Sequence, residues 1–191
     1  MLVVGCIHGD ECAGIAVVKT LERSAAPAGT DVWIIENLNP DGFASGTRQN
    51  GHGVDLNRNF PWRWRRLGGP GSLRYSGPRP LSEPESRLAY RLIRRLRPRI
   101  SIWFHQHLRL VDESGGSQSV ERRYARLVGL PLVRLSRYPG SVATWENHRI
   151  PRTTAFVVEL PAGRLTQTAA ERYARAVFSL AAGLSTARSI G

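Results

Sequence analysis

The sequence predicts an α/β fold, a mixed and mostly parallel central sheet with helices on both faces. Three observations predict it. Short apolar runs of strand type alternate along the chain with stretches of helical periodicity, the pattern of strands joined by crossover helices. At 191 residues the chain is long enough to cover a sheet on two sides, yet short enough for a single domain spanning 1–191. Apolar content of 41% and charged content of 22% suit an ordinary globular protein. No apolar run reaches the roughly 20 residues that a bilayer span needs.

Leu2 to Ile7 reads as a buried strand, followed by a helix from about Cys12 to Arg23. Asp31 to Glu36 is a second strand. Residues from about Asn37 to Pro80 form a long stretch rich in Gly, Pro, Asn and Arg, and a loop of that length inside a compact domain is usually functional. Ser82-Glu-Pro-Glu85 has the spacing of a capping box and opens a helix to about Leu96. Leu88, Leu92 and Leu96 give that helix a buried stripe, and Arg87, Arg91, Arg94 and Arg95 a solvated side. Ile100 to Phe104 is the next strand. A short helix from Val120 to Val128 and a strand near Leu132 follow. Thr153 to Glu159 is a strand, and Thr166 to Leu184 a closing helix.

Formal net charge is +12, which suits an anionic partner. However, Lys19 is the only lysine, and a skew so complete resembles base composition more than selection for phosphate contacts. Trp62-Arg-Trp-Arg-Arg66 interleaves rings and cations as a single-strand binder does, but an acidic substrate or cell-wall polymer is at least as good a fit. Nucleic-acid binding is therefore not the expected function. Cys6 and Cys12 allow one bridge, with buried free thiols the plainer reading. The chain opens directly on a strand, with no secretory signal in the sequence as written. Compartment stays open: cytoplasmic as written, secreted if the N-terminus is truncated.

His8-Gly-Asp-Glu11 stands where the first strand ends. Imidazole nitrogen and carboxylate oxygen together suit zinc, and a catalytic zinc takes a third protein ligand plus an open position. That third ligand is His105 or His107. Residues two apart on an extended segment share a face, so spacing does not choose; His105, nearer the strand end, is preferred. Glu159 ends an apolar strand, where a carboxylate needs a cation, a water or its own proton. It is either a general base, taking a proton from attacking water and returning it to the leaving amine, or a structural ion pair with an arginine. His8, His105 and Glu159 fall at strand ends in three separate segments, where α/β folds place their chemistry.

Asn39-Pro-Asp-Gly42 is a turn signal, and beyond it Arg48 and Asn57-Arg58 offer forked and amide donors suited to a carboxylate and a developing oxyanion. His52 between them reads as an exposed loop histidine. In order, His-x-x-Glu, Asn-Pro-Asp-Gly, Gly46-Thr-Arg48, Val54-Asp-Leu-Asn-Arg-Asn-Phe60, a strand ending in His and Val158-Glu-Leu-Pro161 resemble the M14 zinc carboxypeptidases, and within them the bacterial murein peptide amidase branch.

The resemblance implies a single zinc ion per chain held by His8, Glu11 and His105, with Glu159 as catalytic base. Arg48 would polarise the scissile carbonyl, and Asn57 and Arg58 would grip a terminal carboxylate. Asp55 would orient the first zinc histidine. Val142 and Thr144 would lie near the leaving residue. The implied function is a zinc-dependent metallocarboxypeptidase or amidase cutting a peptide bond near a free carboxylate in murein-type peptides. An N-acyl amino-acid deacylase of the aspartoacylase type and a non-catalytic binder of cell-wall peptide are the alternatives. Against the family pattern, the strands that usually precede His-x-x-Glu are missing, so the sheet is expected to lack an edge. Asp10 replaces the usual Arg or Asn, and the closing tyrosine has no clear match, Tyr138 lying in about the right region.

Overall fold

The computed structural model describes residues 1–186. Its strands are β1 (Leu2–Val4), β2 (Trp33–Ile35), β3 (Ile100–Asp112), β4 (Leu132–Val133) and β5 (Thr154–Pro161). The helices are α1 (Gly14–Glu22), α2 (Pro40–Ser45), α3 (Pro84–Leu96), α4 (Gln118–Val128), α5 (Val142–Arg149) and α6 (Gln167–Thr186), with a 3₁₀ turn at Leu56–Arg58. The predicted alternation of strands and helices is therefore present. The long segment from 37 to 80 is not structureless, since α2 and the 3₁₀ turn lie within it. No described helix is long and apolar enough to cross a membrane.

β1 pairs in parallel with β2 on one side and β3 on the other. β3 runs parallel to β5 from Ile100↔Thr154 to His107↔Pro161. Past register shifts between His107 and Val111, Leu110 opposes Glu159 and Val111 opposes Val158, so partner numbers fall as β3 advances. The end of β3 thus returns along the far side of β5 before meeting β4 at Val111↔Leu132. That return makes the sheet mixed as well as mostly parallel. It was not legible in the sequence, which shows only Ile100 to Phe104 as strand.

Alternation along the strands divides the core. Val3, Ile102, Phe104, Phe156 and Val158 face a layer built by α1, α4 and α6, while Leu2, Val4, Trp103 and Val157 face α3 and α5. Helices therefore cover both faces. At the edge, β2 leaves Trp33 half exposed.

Three local readings change. α3 begins one residue late for the capping box: Glu83 is its N-cap without a side-chain cap bond, and Ser82 Oγ donates to Glu83 Oε1 at 2.6 Å instead. Its buried face is Ser86, Ala89 and Ile93, whereas Leu88 is 56% exposed, because the small residues let the helix lie close to its neighbours. Cys6 and Cys12 are joined as a disulfide, not kept as free thiols, the intervening turn bringing their Cα atoms to 4.7 Å.

Candidate metal centre and active site

β1 delivers the chain into a tight turn, and glycine makes that turn possible. A Cβ on Gly9 would overlap the Gly42 and Phe43 backbone of α2, and one on Gly14 would overlap the Gly5 carbonyl and Phe104. Asn39 caps α2 by accepting from Gly42 N–H at 3.0 Å, and its amide donates to the Ile7 and Arg48 carbonyls, each at 3.2 Å. The Asn-Pro-Asp-Gly segment is therefore a helix start that pins Arg48 beside the His8 turn, more than the simple turn its sequence suggests.

Within this frame His8, Glu11 and His105 converge, with one ligand atom from each lying within 4.8 Å of the others. His8 Nδ1 is 2.9 Å and His105 Nδ1 3.0 Å from the same oxygen, Glu11 Oε2. The ring centroids of His8 and His105 are 4.6 Å apart, edge to face. His8 Nε2 lies 3.1 Å from Asp55 Oδ1. His8 thus has a carboxylate at both ring nitrogens. Because carboxylates only accept, one of these contacts needs a cation or a second proton. With Nε2–H donated to Asp55, Nδ1 presents a lone pair toward Glu11, the arrangement that orients a metal-binding imidazole. His105 Nε2 is buried without a hydrogen-bond partner. Two nitrogen donors and a carboxylate on one point fit zinc. His107 is exposed on the cavity rim and outside this group.

The electrostatics agree with that donor set. Burial, with His8 and Arg48 close by, lowers the His105 pKa to about 4, which keeps the imidazole neutral. Burial works to lower the His8 pKa as well, but the Asp55 carboxylate outweighs it and the net direction is up. Against burial, hydrogen bonds from His105 and His8 hold Glu11 well below the usual carboxylate range. Burial and the Glu11 charge push the Glu159 carboxyl up to about 7, within reach of general base work near neutrality. No arginine forms an ion pair with Glu159 among the described residues; its contact is the Leu108 N–H at 3.5 Å. Across the ladder Glu159 stands opposite His105, so strand pairing fixes the spacing of the two.

Arg48 spends two of its donors on the protein, Nη1 on Glu11 Oε1 at 2.5 Å and Nε on Asp55 Oδ2 at 2.9 Å. Three guanidinium N–H groups remain. Asn57 Oδ1 accepts from Val142 N–H at 3.0 Å, leaving its amide N–H groups as donors. Arg58 Nη1 donates to the Asn57 carbonyl, and its Nε is buried without a hydrogen-bond partner. A cavity of about 400 Å³ joins His8, Glu11, Arg48, Asn57, Arg58, His105, Thr144 and Glu159. Asp55 lies beneath it, fully buried.

Val142 corrects the expectation. Its side chain is wholly buried in the core behind the cavity, because it opens α5 facing inward, and only its amide meets a site residue. Ser141 and Thr144 line the wall in its place. Tyr138 also lines the cavity, with Arg58 and Arg74 guanidinium carbons 4.5 and 4.6 Å from its ring centre. Arg74, Asp112 and Arg137 were missed. Asp112 and Arg137 pair at 2.9 Å, and no motif marks either in the sequence. His52 is an exposed loop histidine as read, with Nδ1 2.7 Å from Glu83.

Fold and donor set define a class: an α/β protein with a His/Glu/His centre and a partly buried carboxylate at the strand ends. The chain belongs to the zinc carboxypeptidase family, peptidase M14, whose profile matches residues 1–120. It is 32% identical over 157 residues to murein peptide amidase A of Escherichia coli K12, covering 75% of this chain and 64% of that protein. The Vibrio campbellii murein peptide amidase A is also 32% identical, over 173 residues, covering 84% of this chain and 68% of that one. The chain therefore spans about two thirds of the length of these relatives. Its structure is similar to that of the murein-tripeptide amidase of E. coli O157, at 28% identity and TM-score 0.76, covering 95% of this chain and 80% of that one. Carboxypeptidase A of Helicoverpa armigera shares the fold at 17% identity and TM-score 0.80, covering 100% of this chain and 62% of that one.

Proposed function

We propose that this chain is a zinc-dependent metallocarboxypeptidase or amidase that hydrolyses an amide bond next to a free carboxylate in murein-type peptides. The observation that carries the reading is the meeting, in one cavity, of a His8/Glu11/His105 donor set, an unpaired Glu159 and the Asn57-Arg58 donors. The names of the relatives support the substrate class.

His8 Nδ1, Glu11 and His105 Nδ1 would hold the zinc, which supplies Lewis acidity when bound. Asp55 fixes the His8 ring so that Nδ1 stays a donor. Glu159 accepts the proton of the attacking water and passes it to the leaving nitrogen; a carboxyl titrating near neutrality serves both steps. Arg48, held cationic by Asp55 and Glu11 against the effect of burial, turns its spare donors to the oxygen that becomes negative. Asn57 and Arg58 take the substrate carboxylate, which sets the cut one residue from the chain end.

Metal content and hydrolysis of a murein peptide panel test this together. About one zinc per chain is expected, lost in His8→Ala/Glu11→Ala. Glu159→Gln should keep the metal and lower kcat by roughly 10²–10⁴-fold. Wild-type protein that takes up no zinc overturns the reading. Turnover of N-acyl amino acids, with none of peptides, replaces it by a deacylase.

A further inference from the structure

A second surface lies away from this site, where α3 and α5 border a groove. Two adjoining hollows of about 440 and 380 Å³ share Tyr90, Arg94, Arg149 and Ile150. The larger adds Arg91, Arg95 and Arg97, and the smaller adds Trp62. Every charged residue lining either hollow is an arginine. Among the described residues none of these arginines pairs with a carboxylate, whereas Arg134, Arg137 and Arg175 elsewhere do.

Arginines on one helix face are ordinarily just its solvated side. This groove differs because Arg149, from α5, meets the α3 arginines across a concave surface. Like charges gathered in a hollow repel one another and concentrate anions. Planar guanidinium forks match phosphate oxygens two at a time. The aromatic rings are already engaged: Trp62 stacks on His148 with centroids 4.4 Å apart and lies under Arg149, and Tyr90 packs on Trp145 and under Arg94. They offer poor platforms for nucleobases, so the groove suits phosphates more than bases. A net charge of +12 argues against a second copy of the chain as occupant.

We propose that the groove between α3 and α5 binds a linear phosphate-bearing polymer through Arg91, Arg94, Arg95, Arg97 and Arg149. α5 links it to the catalytic cavity, since Thr144 lines that cavity and His148 and Arg149 follow one turn later. A polymer held there keeps the chain beside an anionic surface while the cavity stays open.

The test measures binding of short linear inorganic polyphosphate to the whole chain across a salt series. Five contacts predict an affinity loss of about a hundredfold between 50 and 200 mM salt. Arg94→Gln/Arg149→Gln should flatten the log–log salt slope by about 1.4. Arg91→Gln/Arg95→Gln, both exposed and unpaired, should do the same and stands in if the first variant melts early. Arg122→Gln/Arg126→Gln removes the same charge from exposed positions on α4, across the sheet, and should leave the slope unchanged. An equal loss in that control overturns the proposal in favour of diffuse charge. A single-stranded oligonucleotide with the same number of phosphates that binds more tightly than polyphosphate overturns it in favour of nucleic acid.

Discussion

Glu146→Gln should abolish a pH dependence of stability that arises on α5, the helix whose Thr144 lines the site. Glu146, on α5, is fully buried and accepts from Trp103 Nε1 at 2.7 Å and from Ser101 Oγ at 2.5 Å, both on β3. Burial pushes its carboxyl up to about 7, with the two hydrogen bonds pulling the other way. The folded chain therefore keeps a proton that the unfolded chain releases above its ordinary value of 4.5. The stabilisation is fully present below that pH and is lost as pH rises through 7. At about 1.36 kcal/mol per pH unit the rise is worth ~3 kcal/mol. Glutamine keeps an acceptor for Trp103 and a donor for Ser101 Oγ, but its extra N–H is buried without a partner, at about 1 kcal/mol. The variant should thus be about 1 kcal/mol less stable than wild type at pH 4 and about 2 kcal/mol more stable at pH 8.5. Urea unfolding of both proteins in chelator, which removes metal linkage, measures the difference. A difference that stays constant between the two pH values refutes the reasoning.

Two further perturbations address the site. Asp55→Asn should lower zinc affinity about 10- to 100-fold by freeing the His8 tautomer, as measured by competition with a chromogenic chelator; unchanged affinity would show that Asp55 does not orient the ring. Gly9→Ala should destabilise by about 1–3 kcal/mol and weaken zinc binding, because the added carbon meets the α2 backbone rather than a flexible side chain. A wild-type melting temperature with full zinc affinity would remove that turn from the account.

What the sequence shows of this site is what local spacing can encode. His8 and Glu11 sit three apart in one turn, and Glu159 ends a strand whose apolar neighbours announce burial. Strand ends then place them together, since crossover folds collect such ends on one side. The return of β3 beside β5 escapes this logic: Arg109 turns the chain with φ of 57°, and neither it nor the flanking Leu108 and Leu110 mark a hairpin in sequence. Val142 was misread because a helix start carries no label for which way its first residue points. Asp112 and Arg137 lie 25 residues apart, and tertiary packing alone makes them neighbours. The α3 stripe shows the same limit, as three leucines outscored Ser86 and Ala89 by hydropathy although close packing favours small side chains.

Asp55 explains how the dense loop cluster, distant in sequence, is tied to the His8/Glu11/His105 donor set. Its Oδ1 accepts from Asn57 N–H at 3.0 Å, capping the 3₁₀ turn that presents Asn57 and Arg58, and the same oxygen meets His8 Nε2. Its Oδ2 holds Arg48 at 2.9 Å and lies 4.0 Å from Arg58 Nε. One buried carboxylate thus touches His8, Arg48 and Arg58 together. Its own charge is tolerated only because those partners surround it, and without it the Arg48 and Arg58 guanidinium groups would repel each other beside an unoriented imidazole. On the proposed reading, the metal-holding and carboxylate-gripping parts are therefore coupled through Asp55. A change to any partner of Asp55 alters the field at the others, so substitutions at His8, Arg48 and Arg58 should combine non-additively.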